Sequence, residues 1–354
     1  MGCARAIGLL GTMLLLFLGS GTAQDSNAST TLFPAIFTFG DSAADPGNND
    51  YLPTVIKANY PPYGRDFADR KATGRFCNGK LATDIAAETL GFTAYPLPYL
   101  SPEALGEKLL VGASFASAAS GYNERAATMN HALTLNQQLQ LFEEYQRKLA
   151  EVAGINKAVS IVKEGLYLVS AGTGDFLQNY YLNPYLSKAC SPEQYASIIL
   201  ASFTRFIKGL YLLGARKIGV TSLPPIGCFP VAITLLGYGQ SRCVSQVNAD
   251  IQGFNKRLNL AAASLRKQLP GVRIVIFDIF TPLYELIKSP SQNGFAVVRR
   301  GCCGTETTIF LCNPKSFRTC PNATKYVFWD SVHPTQAANQ FIAEALILQG
   351  ISLL

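Results

Sequence analysis

The chain contains little histidine and little charge. Among 354 residues there are only two histidines, His131 and His333, and only 15% of the residues are charged. Two histidines leave few candidates for a general base near neutral pH. The low charge fraction, with 48% hydrophobic and 11% aromatic residues, argues against a disordered chain and against a coiled coil.

The excess of positive charge is also small. The chain has 30 Lys and Arg residues against 23 Asp and Glu residues, a formal charge of +7. The basic residues are scattered rather than grouped in a stripe. We therefore expect no nucleic-acid partner.

A long hydrophobic run is missing as well. The apolar stretch from Ala6 to Leu18 is too short and too interrupted by glycine for a membrane span, so we expect no stable membrane insertion. Arg5 precedes this stretch and Gly21-Thr22-Ala23 follows it, the pattern of a cleaved secretory signal. We predict a signal peptide over residues 1–23, with an uncleaved anchor as the alternative. No linker or repeat divides residues 24–354, which we interpret as one domain.

The cysteine count fits an oxidising compartment. Cleavage after Ala23 would remove Cys3 and leave eight of the nine cysteines. An even count in a secreted chain indicates disulfides, but eight cysteines allow 105 complete pairings. Cys228 and Cys243 are close enough in sequence for a local bridge.

A second group of cysteines marks a loop-like segment, Gly294 to Asn322. It carries Cys302, Cys303, Cys312 and Cys320. We interpret the segment as a surface excursion held by disulfides. Zinc is the rival interpretation, but no histidine lies among these cysteines and the expected compartment is oxidising, so we expect no metal. We expect no other cofactor either.

Two glycosylation sequons support secretion. They begin at Asn27 and Asn322, and both asparagines are candidate glycan sites. We therefore expect an extracellular protein, with the cell wall as one destination.

Short apolar runs alternate with helical patterns along the chain. The expected strands are Ala35–Phe39, Lys108–Phe115, Leu166–Ser170, Lys217–Thr221 and Val272–Phe277. The expected helices are Leu81–Leu90, Leu135–Ala150, Ser191–Leu213, Val247–Leu269 and Thr335–Leu348. Consecutive apolar residues in the strands indicate a sheet that is covered on both faces. The sequence predicts an α/β fold with a parallel sheet between layers of helices.

The first expected strand is followed by a candidate nucleophile, Ser42. Ligands of a parallel sheet lie outside the carboxyl ends of its strands. A serine hydroxyl needs a base, and His333 lies just before the last expected helix. Asp330, three residues earlier, could orient its imidazole. The spacing alone leaves an alternative open, in which Asp330 caps the last helix and His333 is a surface residue. His131 has no acidic neighbour, and we interpret it as structural or exposed.

Several motifs together resemble one family. Phe39–Ser42, followed by Asp45, Gly47, Asn48 and Asn49, is similar to the first block of the GDSL esterases and lipases, within the SGNH hydrolase superfamily. Further segments resemble the secreted plant branch of that family: Pro61–Phe67, Thr73–Gly79, Phe115–Gly121, Leu223–Cys228 and Phe328–Thr335. The matches follow the family order over essentially the whole chain after the leader.

The resemblance implies a fold and a set of site residues. The fold would be a flavodoxin-like three-layer α/β/α sandwich with a mostly parallel five-stranded sheet. Ser42 would be the nucleophile, Asp330 the orienting acid and His333 the general base. The G-x-S-x-G elbow of the other large esterase fold is absent, which argues against an α/β-hydrolase.

One position departs from the family pattern. The family stabilises the oxyanion with the N–H of the nucleophile, a glycine N–H and an asparagine side chain. Ser42 and Gly121 match the first two, but Gly174 stands where the family has asparagine. Either the N–H of Gly174 or a water replaces the missing donor, or Asn179 or another group does, or catalysis is reduced.

The sequence therefore predicts a secreted serine hydrolase of carboxylic esters, acting on lipid or other acyl esters through an acyl-enzyme. One alternative is an O-acetylesterase for acetylated cell-wall polysaccharide. The other is a weakly active or inactive member that binds lipid or carbohydrate, suggested by Gly174.

Overall fold

The structure is a computed structural model that describes residues 31–304, 310–313, 315 and 318–354. The predicted signal peptide and the sequon at Asn27 lie outside the described residues. Contacts group Thr31–Leu354 into one compact unit.

Five parallel strands form a single sheet. They are β1 (Ile36–Gly40), β2 (Gly112–Ser114), β3 (Leu166–Ser170), β4 (Lys217–Thr221) and β5 (Arg273–Phe277). Their order is β2-β1-β3-β4-β5, and all four pairings are parallel. This is the flavodoxin-like order, whose ligand crevice lies between β1 and β3, where the winding reverses. The predicted α/β fold with a parallel five-stranded sheet is confirmed.

Helices lie on both faces of this sheet, with further short helices in the connections. They are α1 (Ala82–Thr89), α2 (Arg125–Met129), α3 (Leu135–Ala153), α4 (Ile155–Glu164), α5 (Pro184–Ala189), α6 (Pro192–Leu212), α7 (Pro230–Leu236), α8 (Ser245–Gln268), α9 (Phe280–Lys288) and α10 (Gln336–Ile347). A π-helical segment covers Asp175–Tyr181, and the last 3-10 turns cover Leu348–Leu353.

Side-chain alternation in β1 separates the two faces of the sheet. Phe37 and Phe39 are fully buried in the large core that includes residues of α3, α6 and α8. Ile36 belongs to a smaller cluster on the other face, with Ala87 of α1 and Leu353. Successive strand residues point to opposite faces, so one strand feeds both layers.

Sequence signals fix several helix starts. Ser191 caps α6, accepting from the N–H of Gln194, and Pro192 is its first residue. Thr134 caps α3 in the same way, through the N–H of Gln137. Such caps satisfy N–H groups that have no partner inside the helix.

The second predicted strand is placed too early. Residues Gly106–Val111 form a 3-10 helix, and the strand covers only Gly112–Ser114. Gly112 has φ 98°, and a Cβ there would lie 2.0 Å from the carbonyl oxygen of Ile36. The close approach of β1 therefore requires glycine where the strand begins.

Three disulfides are present among the described residues. Cys228 is bonded to Cys243, Cys302 to Cys320 and Cys303 to Cys312. The local bridge and the stapled loop are therefore as predicted. Cys77 and Cys190 are free thiols.

The stapled segment is less superficial than expected. Cys302, Cys303 and Cys312 are buried with Trp329 and Tyr63 in a separate core cluster. The disulfides therefore pack beside the motif that carries Asp330 and His333, rather than on an outlying loop.

Candidate active site

Ser42 lies two residues beyond the end of β1, in the crevice between β1 and β3. The turn is fixed at both strands, because the N–H of Asp41 donates to the carbonyl oxygen of Ser170 at 2.8 Å. The carboxyl of Asp41 accepts from the N–H of Ala43 at 3.0 Å. Burial raises the pKa of Asp41 to about 6, an effect that its backbone hydrogen bonds and the nearby His333 reduce.

The structure brings Ser42, His333 and Asp330 together. Nε2 of His333 lies 2.8 Å from Oγ of Ser42, and Nδ1 lies 2.7 Å from Oδ2 of Asp330. With the proton on Nδ1, the ring donates to the carboxylate and its Nε2 can accept the serine proton. His333 is 7% exposed, so it is not the surface residue of the alternative interpretation.

Four hydrogen bonds hold the carboxylate of Asp330. Oδ1 accepts from the N–H groups of Val332 and His333, at 2.9 and 2.7 Å. Oδ2 accepts from the hydroxyl of Tyr63 at 2.9 Å as well as from the imidazole. Asp330 does not cap α10; the side chain of Thr335 does. The fully buried carboxylate is fixed toward the histidine.

Sequence reasoning missed two aromatic residues of the site. The hydroxyl of Tyr63 donates to Asp330 and also accepts from the N–H of Cys312 at 3.1 Å. The ring of Phe76 lies 5.1 Å from the imidazole of His333, centroid to centroid. Both residues belong to segments that carry the family resemblance, so the signal was the motif, not any local pattern.

The polar residues behind Ser42 shape the loop that leads to Gly121. The carboxyl of Asp45 accepts from the N–H of Ala118 at 3.0 Å, in addition to two N–H groups of its own turn. The amide of Asn48 donates to the carbonyls of Ser114 and Ala116, at 2.9 and 2.8 Å. The first block therefore positions the second through buried hydrogen bonds.

Asp175 fixes the backbone immediately after Gly121. Its carboxyl accepts from the N–H of Tyr122 at 2.7 Å and from that of Asn123 at 3.0 Å. A Cβ on Gly121 would lie 2.7 Å from Oδ1 of Asp175, so this contact requires glycine. Burial raises the pKa of Asp175 to about 7, although these two N–H groups favour its charged form.

The residues that the sequence predicts as oxyanion donors lie on three different loops. Across the described ranges of the chain, the N–H groups of Ser42 and Gly121 donate no hydrogen bond to the protein. Gly174 immediately precedes the π-helical segment and has no side-chain donor. The amide nitrogen of Asn179 lies 3.5 Å from Oδ1 of Asp175, so it belongs to the surroundings of that carboxyl.

The remaining candidate residues lie away from this centre. His131 is exposed, with a left-handed φ of 53°. Asn322 is also exposed, and its Oδ1 accepts from the N–H of Thr324 at 3.0 Å. Within the part of the chain that the structure describes, no three His, Cys, Asp or Glu side chains are grouped to hold a metal ion. In the same part, every helix is too short or too polar to cross a membrane.

Known proteins resemble the chain over nearly its whole length. The GDSL-like Lipase/Acylhydrolase family matches residues 36–346. The GDSL esterase/lipase APG of Arabidopsis thaliana is 59% identical over 346 residues, 97% of this chain and 98% of the relative. A second Arabidopsis thaliana GDSL esterase/lipase is 52% identical over 329 residues, 91% of each chain.

Among solved structures, an acetylxylan esterase from Geobacillus stearothermophilus matches at 11% identity and a TM-score of 0.43, over 92% of this chain and 97% of that one. At that TM-score the match carries no argument. The two plant relatives and the family match over residues 36–346 are sufficient: the chain belongs to the GDSL-like lipase/acylhydrolase family.

Proposed function

We propose that the chain is a secreted hydrolase of carboxylic esters in which Ser42 is the nucleophile, His333 the general base and Asp330 the orienting acid. The observation that carries the proposal is the continuous contact from Ser42 Oγ to His333 Nε2 at 2.8 Å and from His333 Nδ1 to Asp330 at 2.7 Å. The names and identity of the plant relatives support the reaction class. The three disulfides fit an extracellular compartment.

In this mechanism His333 transfers a proton in each of two steps, first from Ser42 to the alcohol and then from water to Ser42. As Ser42 Oγ attacks the ester carbonyl, Nε2 takes the hydroxyl proton and then gives it to the departing alcohol. Water then attacks the acyl carbon while Nε2 takes its proton, the bond from the acyl carbon to Oγ breaks, and Nε2 returns that proton to Oγ as the acid leaves. The N–H groups of Ser42 and Gly121, with that of Gly174, would face the negative oxygen of each tetrahedral intermediate. The chemistry requires no cofactor.

The carboxylate of Asp330 is held in place by its four hydrogen bonds. It holds the imidazole in one tautomer and stabilises the imidazolium that forms during each transfer. Tyr63 acts through Asp330 and is therefore a positioning residue.

Fluorophosphonate labelling of Ser42 tests the nucleophile. The reagent reacts with activated serines, so we expect labelling of the native chain and none of Ser42→Ala. Turnover of p-nitrophenyl acetate should fall more than about 10³-fold in that variant. Ser264→Ala, which changes an exposed serine on α8, is the matched control and should behave like the native chain.

Two outcomes separate the alternatives. Unchanged ester turnover in folded Ser42→Ala would refute the assignment. Binding of a lipid or polysaccharide by the native chain without labelling would instead favour the binding protein that Gly174 suggests.

A further inference from the structure

A cavity of about 320 Å³ lies beside the proposed nucleophile. Ser42, Ala43 and His333 line one part of it. From there it follows the face of the sheet that is covered by α1, α10 and the last residues of the chain. The candidate site is therefore continuous with an internal space.

Strand residues of different sizes line the cavity on this face of the sheet. The smaller ones are Thr38, Ser170, Gly219 and Thr221, and the larger ones are Leu166, Leu168, Val169 and Phe277. The opposite face carries Phe37, Phe39 and Tyr167 in the dense core. The cavity therefore follows the face of the sheet that lies away from this dense core.

The rest of the lining is almost entirely apolar. Along α1 it includes Ala82 and Ala86, and along α10 it includes Ile342, Ala343 and Leu346. Of its few polar groups, the hydroxyl of Thr38 is buried and makes no hydrogen bond within the described chain. No charged side chain of the described residues except the imidazole of His333, when protonated, lines the cavity. Such a lining favours a hydrocarbon and disfavours a sugar.

From Ser42 the cavity extends antiparallel to β1, toward the start of that strand. Ser42 follows the end of β1, whereas Leu32 and Phe33, which also line the cavity, precede its start. The N–H of Leu32 donates to the carbonyl of Leu90, at the end of α1. The cavity therefore extends over the five residues of β1, a length of about 16 Å at about 3.3 Å per residue.

These dimensions correspond to a medium-length alkyl chain. An extended chain of single bonds advances about 1.2 Å per bond, so about 16 Å corresponds to about 13 bonds. The volume agrees, since a methylene is about as large as a water molecule, whose share of the liquid is about 30 Å³. A cavity of about 320 Å³ therefore holds roughly ten methylenes.

We propose that this cavity binds the acyl chain of the substrate, so that the enzyme selects esters of fatty acids of about 10 to 14 carbons over acetyl esters. The inference rests on the proposed hydrolase function. The acyl carbon would lie at Ser42, with the chain running along β1 toward Leu353. The alcohol part would remain on the side of the exposed Ala43.

A series of p-nitrophenyl esters from acetyl to dodecanoyl, below their aggregation concentrations, measures this selectivity. Burial of each methylene favours binding by about fourfold at most. We expect kcat/KM for dodecanoyl ester to exceed that for acetyl ester by at least about 100-fold. Equal values, or a preference for acetyl, would overturn the proposal.

Substitutions that fill the cavity test whether the acyl chain binds there. Ala86 lies one helical turn beyond Ala82, about 6 Å deeper along the cavity. Ala86→Phe should lower the dodecanoyl-to-acetyl ratio of kcat/KM at least about tenfold. Ala343→Leu, a smaller change from the facing helix, should lower it in the same direction and decides the matter if Ala86→Phe does not fold. Ala201→Phe, at an exposed position of α6, is the control and should leave the ratio unchanged.

The two proposals fail differently. Ester turnover that persists in folded Ser42→Ala would remove the hydrolase mechanism itself. Turnover that depends on Ser42 but shows an unchanged ratio in folded Ala86→Phe and Ala343→Leu would overturn only the acyl site.

Discussion

Introducing asparagine at Gly174 tests whether the candidate site lacks an oxyanion donor. The backbone accepts the change, because Gly174 has φ −64° and ψ −33°, a right-handed helical conformation. Among the described residues outside its own turn, an added Cβ would approach Oε1 of Gln178, at 3.0 Å, at the end of an exposed side chain. Gln178 can therefore move aside at small cost. Gly121 offers no such room, because Asp175 lies against it.

The size of the effect follows from the chemistry of the hole. Gly174 immediately precedes Asp175, whose carboxyl accepts from the N–H of Tyr122, the residue after Gly121, so position 174 lies near the loop that carries Gly121. One preorganised side-chain donor contributes about 10²–10³ in rate. We expect Gly174→Asn to raise kcat about 100-fold, equivalent to about 2.7 kcal/mol. Replacing glycine in a helical conformation should leave stability equal or raise it by about 0.5 kcal/mol.

Steady-state hydrolysis of a soluble aryl ester provides the assay, with thermal unfolding to verify the fold. Gly174→Ala is the matched control, since it adds the Cβ without a donor and should leave kcat near the native value. Equal rates for the asparagine and alanine variants would refute the reasoning that a donor is missing. It would then follow that backbone N–H groups already suffice.

Two further predictions concern buried polar groups. Tyr63→Phe should lower kcat about tenfold and lower Tm, because Asp330 loses a donor and the N–H of Cys312 loses its acceptor. The control Tyr60→Phe, which loses only its bond to the carbonyl of Cys312, should lower Tm alone. An unchanged kcat in Tyr63→Phe would contradict the positioning role of Tyr63. Burial raises the pKa of Asp175 from 3.8 to about 7. Between these two pH values the folded protein holds a proton on Asp175 that the unfolded chain has lost. Protonation of Asp175 therefore stabilises the fold at low pH, and this stabilisation is lost as the pH rises from about 4 through about 7. Thermal melts of the native chain should therefore show stability falling by up to about 1.4 kcal/mol per pH unit over this range, and Asp175→Asn should remove that fall. The same dependence of stability on pH in both proteins would be inconsistent with the raised pKa of Asp175.

The accuracy of the sequence predictions depended on how local the signal was. Helix α6 begins as predicted, because the Ser191 cap and Pro192 act within one turn. The strand predicted over Lys108–Phe115 was shortened to Gly112–Ser114, because a run of apolar residues does not distinguish a strand from a 3-10 turn. What distinguishes them is the approach of Ile36, which is 76 residues distant in the chain.

In the candidate site, too, local motifs could be predicted, whereas contacts between distant residues could not. Ser42, Asp330 and His333 could be named from the sequence because each lies in a recognisable motif at an expected strand or helix end. The hydrogen bond from Tyr63 to Asp330 joins residues 267 positions apart, and no spacing rule predicts it. The free thiols of Cys77 and Cys190 were likewise hidden in an even count of cysteines.

The sequence by itself determined the alternation of five strands with five of the helices, since burial, turns and caps are encoded within a few residues. The helices α2, α4, α5, α7 and α9 were not predicted. It also determined which histidine could serve as the base, because only two are available. The tertiary structure alone decided which cysteines pair, what holds Asp330, and that the space beside Ser42 extends along β1. These properties arise where distant segments meet, and the packing of the whole sheet and its two helical layers fixes those meetings.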